Sequence, residues 1–156
     1  MPSPRVLSRV TLAAALLAGA LAPAHAQTVT GRATVIDGGT LEVRGERIRL
    51  AGIGEVADDH VCERTDDERW RCGPRALNAL DEFLEESIVS CVVKSRDASG
   101  EAAAVCSASG LDLGLWLIRN GLAQPAPASA SNRYRQAETE AKAARRGMWS
   151  MPGAAP

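Results

Sequence analysis

The sequence has no excess of positive charge. Its 156 residues contain 18 Lys and Arg against 19 Asp and Glu, which gives a formal net charge of −1. Proteins that bind nucleic acids through the phosphates usually carry a basic patch, so this balance disfavours a general nucleic-acid binder, although it is compatible with a local basic groove. The length favours a single domain.

The cysteines lack the C-x₂-C spacing of zinc sites, and only one histidine, His60, lies beyond residue 26. An even number of cysteines in an exported chain favours disulfides instead. We therefore predict two disulfides and no zinc site. The four residues concerned are Cys62, Cys72, Cys91 and Cys106.

The only long apolar run stands near the N-terminus. Arg5 and Arg9 precede this run, which covers residues 10–21, and the small-x-small sequence Ala24-His25-Ala26 follows it. This order is typical of a secretory signal peptide over residues 1–26, and the run is too short for a membrane-spanning helix, which needs about 20 residues. An uncleaved anchor is the alternative interpretation. We expect an exported, soluble chain in the periplasm or outside the cell, with a formal charge of −3 after Arg5 and Arg9 are removed.

Alternation and β-branched residues predict five strands, at 28–36, 41–43, 47–50, 88–94 and 102–106. Apolar spacing predicts three helices, the first opened by Gly73-Pro74, the second over 111–120, and the third from a cap at Ser131 or Asn132 to about Arg146. The predicted domain covers residues 27–150, with a disordered tail at 151–156.

The last two strands form a predicted hairpin across residues 97–100. A turn centred between Ala98 and Ser99 pairs residues whose numbers sum to 197, which places Cys91 directly opposite Cys106. Cross-strand Cβ atoms lie about 4.5–5.5 Å apart, so a disulfide is feasible at this pair. Cys62 and Cys72 are then left to pair with each other across an acidic loop.

Residues 35–40 (VIDGGT) and 49–57 (RLAGIGEVA) resemble the signature of the staphylococcal nuclease (thermonuclease-like) family, which is Asp-Gly-Asp-Thr and then Arg-Leu-x-Gly-Ile-Asp-x-Pro-Glu. Weaker similarities lie at 70–73, at 97–100, at 121–123 and at 146–149, so the resemblance spans about residues 28–149. It implies an α+β fold, a five-stranded OB-fold barrel capped by three helices.

The resemblance also implies calcium-dependent phosphodiester hydrolysis, but this chain departs from the family at most of the positions that perform it. Gly39 and Gly54 stand at the positions of two calcium-binding aspartates, and Ala57 at that of the catalytic glutamate. The first phosphate-binding arginine matches Arg49, whereas the second falls on Glu101, with the opposite charge. The stretch after Ala123, where the family has base-stacking tyrosines, has no aromatic residue.

Asp37 and Thr40 are therefore the only remnants of the metal site, and Arg49 is the only remnant of the catalytic set. Calcium takes six to eight oxygen ligands, so we expect no bound metal or other cofactor unless Glu55, Asp58 or Asp59 rebuilds the site. The alternative for that acidic loop is a solvated, disulfide-stapled segment. Arg49 is either a structural arginine or an anion contact.

The sequence favours an exported nuclease-fold domain without nuclease activity, acting as a binding or structural module. One alternative is a divergent metal-dependent nuclease or phosphodiesterase that acts on DNA or RNA with Asp37, Arg49 and a loop carboxylate. Another is a module that binds a protein or a glycan. The sequence names no partner; the acidic charge and the missing aromatics disfavour nucleic acid.

Overall fold

The computed structural model describes residues 27–54, 56, 71–85 and 87–150, with the backbone alone at Cys72. The predicted signal peptide, the predicted tail and most of the acidic loop, including Cys62, lie outside these ranges, and so does the predicted Cys62–Cys72 pairing. None of the helices in the described ranges has the length and apolar composition that crossing a membrane requires.

Five main strands form one curled sheet. They are β1 (Thr28–Asp37), β2 (Thr40–Val43), β3 (Glu46–Leu50), β4 (Ile88–Arg96) and β5 (Ala102–Ala108). The order is β3-β2-β1-β4-β5 with antiparallel neighbours, and a parallel pairing of β3 with β5 closes the barrel. This confirms the predicted α+β barrel, and the strand bounds differ from the predicted ones by one or two residues.

Large inward side chains on two strands of the barrel are combined with small inward side chains on β5, which pairs with one of the two. The inward residues of β2 and β3 are Leu41, Val43, Ile48 and Leu50, and those of β5 are Ala102, Ala104, Cys106 and Ala108, all at most 3% exposed. A small barrel needs such complementary sizes to fill its interior without voids. The alternation in β3 points Arg47 and Arg49 to the outer face, as predicted.

The hairpin of β4 and β5 has the predicted register over most of its length. Cys91 pairs with Cys106, and the two form a disulfide, which confirms this predicted pair. Between Val93 and Ser95 the register shifts, so Ser95 pairs with Ala103 and Lys94 is an extra residue on β4. Such a bulge redirects side chains locally and is common beside functional sites.

The first helix, α1 (Cys72–Leu84), packs against β1 through the predicted apolar stripe. Ala76, Leu80 and Leu84 are buried, and Phe83 is half-buried and stacks on Trp116 with ring centroids 4.5 Å apart. The helix approaches the β1–β2 turn so closely that a Cβ at Gly38 would lie 2.7 Å from the Ala76 Cβ. Gly38 is therefore required for this packing.

The second helix, α2 (Leu113–Arg119), is shorter than predicted. Leu111 and Asp112 form instead a two-residue strand, β6 (Leu111–Asp112), paired with the end of β5. The reason is the preceding turn, where Ser109 and Gly110 both adopt positive φ and reverse the chain. Asp112 then caps α2, because its Oδ1 accepts a hydrogen bond from the Leu115 N–H at 2.9 Å.

The third helix, α3 (Asn132–Ala143), has Ser131 as its N-cap, which is one of the two residues predicted for that position. It ends three residues before the predicted Arg146 because Arg145 adopts φ of 49°. The Arg145 and Arg146 N–H groups donate to the carbonyls of Lys142 and Ala141, which is a Schellman ending with arginine where glycine is usual. A 3₁₀ turn, Gly147–Ser150, follows and buries Met148.

The ends of α2 and α3 meet at two glycines. A Cβ at Gly121, whose φ is +67°, would collide with the Arg146 carbonyl oxygen, and a Cβ at Gly147 would collide with that of Gly121. The Met148 N–H donates to the Gly121 carbonyl at 2.9 Å. Residues 121–123 and 146–149, which are separate motifs in the sequence, therefore form one packing contact.

Replacing Gly121 with alanine should lower the free energy of unfolding more than the same change at Gly45. Both glycines have positive φ, +67° and +77°, but no atom lies within 4 Å of a Cβ at Gly45. Gly45→Ala should therefore cost about 1–2 kcal/mol of backbone strain, and Gly121→Ala about 1–3 kcal/mol more through the collision. Denaturant unfolding of the two variants measures the difference, and equal losses would show that the contact is unimportant.

Candidate functional site

A cleft with a volume of about 800 Å³ lies on the outer face of the barrel. Its floor is formed by the outward side chains of β3 and β5, and the β1–β2 turn and the start of α3 also line it. The residues that line it include Asp37, Gly39, Thr40, Arg47, Arg49, Gly54, Lys94, Glu101, Arg133 and Tyr134. We call this the barrel cleft.

Strand pairing explains why distant residues meet in the barrel cleft. Arg49 pairs with Thr40 across β2 and β3, and with Ala103 across the parallel β3–β5 ladder. Glu101 immediately precedes β5, so it lies beside the same row of outward side chains. All six described positions to which the family resemblance assigns a metal or arginine role line this cleft: Asp37, Gly39, Thr40, Arg49, Gly54 and Glu101.

The Asp37 carboxylate takes part in the turn between β1 and β2. Its Oδ1 accepts a hydrogen bond from the Gly39 N–H at 2.7 Å, which is an Asx turn. The Gly39 carbonyl in turn accepts the Leu50 N–H at 2.8 Å. In the described part of the chain, no group of three His, Cys, Asp or Glu residues is placed to hold a metal ion.

Glu101 lies beside a positive charge supplied by this chain. The Arg47 Nε is 3.7 Å from the Glu101 Oε2, and the two side chains are 55% and 28% exposed. An ion pair this exposed contributes about 0–1 kcal/mol to stability. The pair matters locally, because the positive charge of Arg47 within the cleft compensates the Glu101 carboxylate, which stands at the position of the family's second arginine.

Arg49 is exposed and makes no ion pair with any carboxylate among the described residues. Its charge acts on Asp97 at the tip of the β4–β5 hairpin. The pKa of Asp97 lies below its ordinary value chiefly because the Ser99 hydroxyl donates to it, with further donation from the N–H groups of Glu101 and Ser99 and attraction by Arg49. The guanidinium of Arg49 is thus available to an anion in the barrel cleft.

Tyr134 forms the wall of the barrel cleft at the start of α3. It is 5% exposed, and its hydroxyl donates to the Asp112 Oδ1 at 2.7 Å. A Cβ at Gly114 would lie 2.6 Å from that hydroxyl, so the glycine makes room for it. Burial, and then the hydrogen bond to the Asp112 carboxylate, raises the pKa of Tyr134 well above its ordinary value near 10.

Tyr134, Asp112, Lys94 and Arg133 line the cleft although the sequence did not predict them as site residues. Lys94 lines the cleft at the bulge of β4, and Arg133 does so from the first turn of α3. Both side chains are exposed. The one available signal was position: Arg133 and the only tyrosine of the chain stand together just after a predicted helix cap.

Comparison with known families agrees with this barrel. The family model described as "Staphylococcal nuclease homologue" matches residues 47–151. The chain belongs to the staphylococcal nuclease family. It is also 34% identical over 126 residues to the succinoglycan biosynthesis protein ExoI of Rhizobium meliloti (strain 1021). That match covers 80% of this chain and 66% of the relative, just under two thirds of the relative's length.

In this nuclease-family chain, the stretch without aromatics lies at the rim of the cleft. The Gly54 N–H donates to the Gln124 carbonyl at 2.7 Å, and the Ala126 N–H to the Gly52 carbonyl at 2.9 Å. Pro125 faces Ile53 between these bonds as an isolated antiparallel bridge. The positions of Ala57, Glu55, Asp58 and Asp59 lie outside the described residues.

Tyr134 should make the stability of the nuclease-family fold fall at high pH. Because its pKa is higher in the folded chain, its contribution is complete below pH 10 and decreases as the pH rises above 10, by at most about 1.4 kcal/mol per pH unit. Tyr134→Phe should cost about 1.5–3 kcal/mol at pH 7, by removing a hydrogen bond to a charged group, and should also remove this part of the pH dependence.

Since the chain has one tyrosine, tyrosinate absorbance reports on Tyr134 alone. The absorbance should appear together with unfolding, as followed by circular dichroism. Ionisation near pH 10 in a folded chain would contradict the assignment.

Proposed function

We propose that this chain is an exported nuclease-family domain that does not hydrolyse phosphodiesters and that binds a ligand in the barrel cleft. The observation that supports it most is Glu101 beside Arg47, at a position where the family has an arginine. Even with Arg47 beside it, a carboxylate there cannot donate hydrogen bonds to the charge that develops on a phosphate during hydrolysis. Removal of one transition-state donor alone typically lowers the rate by about 10²–10³.

The metal side of the cleft supports the same proposal. Gly39 and Gly54 have no side-chain oxygen, and one oxygen of Asp37 is engaged by a backbone N–H. Calcium needs six to eight oxygens, several of them carboxylates, to replace its hydration shell. Asp37 and Thr40 supply too few. The rival proposal, a divergent metal-dependent phosphodiesterase, requires ligands from Glu55, Asp58 or Asp59.

Export is supported by the disulfide of Cys91 and Cys106 together with the N-terminal apolar run. Structural disulfides form and persist in oxidising compartments such as the periplasm. An exported binding module is exposed to the polymers of the cell envelope and of the surrounding medium. One relative is named for the biosynthesis of a polysaccharide, succinoglycan, and this makes a glycan a candidate class of ligand.

Purified residues 27–156 should not cleave single-stranded DNA, double-stranded DNA or RNA above the buffer background, with calcium, magnesium or manganese present. Gel electrophoresis of end-labelled substrates measures this. Arg49→Ala serves as the control, since contaminating nuclease is insensitive to it. Cleavage that disappears in Arg49→Ala would refute the proposal and support the phosphodiesterase.

Calcium binding should be absent in the natural chain and should appear in the double variant Gly39→Asp/Gly54→Asp. A Cβ would have its nearest neighbour at 3.4 Å at Gly39 and at 3.6 Å at Gly54, which is ordinary contact, so both side chains fit. With Asp37, the variant supplies three carboxylates, and we expect a Kd of about 10⁻⁴–10⁻³ M.

The matched control for the calcium variant is Gly39→Asn/Gly54→Asn, which has the same size without the charge. Calorimetric titration compares the three proteins. Calcium binding by the natural chain with the affinity of the aspartate variant would show that a metal site exists without these positions.

A further inference from the structure

We propose that the barrel cleft binds an acidic oligosaccharide, with Arg49, Lys94 and Arg133 binding its carboxylate groups. This inference rests on the proposed function, because a cleft that hydrolyses phosphodiesters would take a nucleic acid instead. It assigns a ligand class and two residues, Lys94 and Arg133, to which the family signature gives no role.

Three cations from separate elements face the barrel cleft. Arg49 comes from β3, Lys94 from the β4 bulge and Arg133 from the first turn of α3. None of them makes an ion pair with a carboxylate in the described ranges, unlike Arg47, which is beside Glu101. Exposed cations without internal partners in one concave surface attract an anion from solution.

The aromatic content of the cleft argues against a nucleic acid. Single-stranded nucleic acids bind OB-type barrels largely by stacking their bases on aromatic faces. Among the described residues that line the cleft, Tyr134 is the only aromatic one, and it is 5% exposed. Its ring packs against Gly52, where a Cβ would lie 3.1 Å from it, so its faces are not available for stacking.

The remaining polar groups suit a chain of sugars. Ser95, Ser129 and Ser131 are exposed hydroxyls in the lining, and Asp37 and Glu101 offer carboxylate oxygens that accept hydrogen bonds from sugar hydroxyls. The volume of about 800 Å³ is within the range of about 300–1,000 Å³ of small-ligand clefts, so a short oligosaccharide segment fits.

The test compares trigalacturonic acid with the neutral trisaccharide galactotriose, by calorimetric titration of residues 27–156 at low salt. The acidic probe should bind at least tenfold more tightly, and salt should weaken its binding. Arg133→Gln and Lys94→Gln should each weaken it about three- to tenfold. Equal binding of the two probes, or no binding of either, would refute the inference.

The matched control is Arg135→Gln, on the same helix two residues further. Arg135 donates to the Asn132 Oδ1 at 3.2 Å and does not line the cleft, so the variant loses the same net charge elsewhere. Its affinity for trigalacturonic acid should equal that of the natural chain. An equal loss in Arg135→Gln and Arg133→Gln would show that net charge, not the cleft, attracts the probe.

A third probe, a thymidine trinucleotide, separates the glycan from a nucleic acid. It should bind more weakly than trigalacturonic acid; tighter binding that depends on Arg133 would assign the cleft to nucleic acid and overturn the inference. The cleavage assay reports independently on the proposed function. If the chain does not hydrolyse nucleic acids but binds acidic and neutral sugars equally, this inference is overturned and the proposed function is not.

Discussion

The parallel pairing of β3 with β5 is the contact on which both the barrel and its cleft depend. It joins Ile48–Leu50 to Ala102–Ala104 and closes a sheet that otherwise has two free edges. The closure is possible because the inward residues of β5 in this ladder are alanines, whereas those of β3 are isoleucine and leucine. Together these small and large side chains fill the narrow interior. The same ladder turns Arg49 outward next to the segment of Glu101, and this row of side chains forms the cleft floor.

Two groups of glycines in this chain differ in whether the packing of the fold requires them. Gly38, Gly121 and Gly147 each stand where a Cβ would collide with a neighbouring element. Gly39 and Gly54 do not: a side chain at either position meets only ordinary contacts. The first group explains why the family resemblance persists along the chain, since the packing demands it. The second group shows that the metal positions are free of that demand.

The electrostatics of the cleft are consistent among themselves. Glu101 would be unfavourable in a phosphate site, but here Arg47 lies within 3.7 Å of it. Arg49 is then the cation of β3 that makes no ion pair with a carboxylate among the described residues. Lys94 and Arg133 add positive charge to the lining of the cleft. A chain with a net negative charge thus presents a locally positive surface in this cleft, which total charge alone does not reveal.

The sequence by itself determined the features that depend on neighbours along the chain. Alternation in β3 set Ile48 inside and Arg49 outside, and the turn at 97–100 set the register that joins Cys91 to Cys106. The family motifs set the barrel, because their glycines and apolar residues occur in a specific order. These features follow from local periodicity and turn geometry, which a sequence displays directly.

The tertiary structure alone decided the features that depend on contacts between distant segments. The bulge that makes Lys94 an extra residue, the hydrogen bond of Tyr134 to Asp112 and the ending of α3 at Arg145 have no pattern in the sequence. Each results from packing against an element far along the chain. These contacts complete the cleft, and for that reason the lining residues that they position, such as Lys94 and Tyr134, have no signature in the sequence alone.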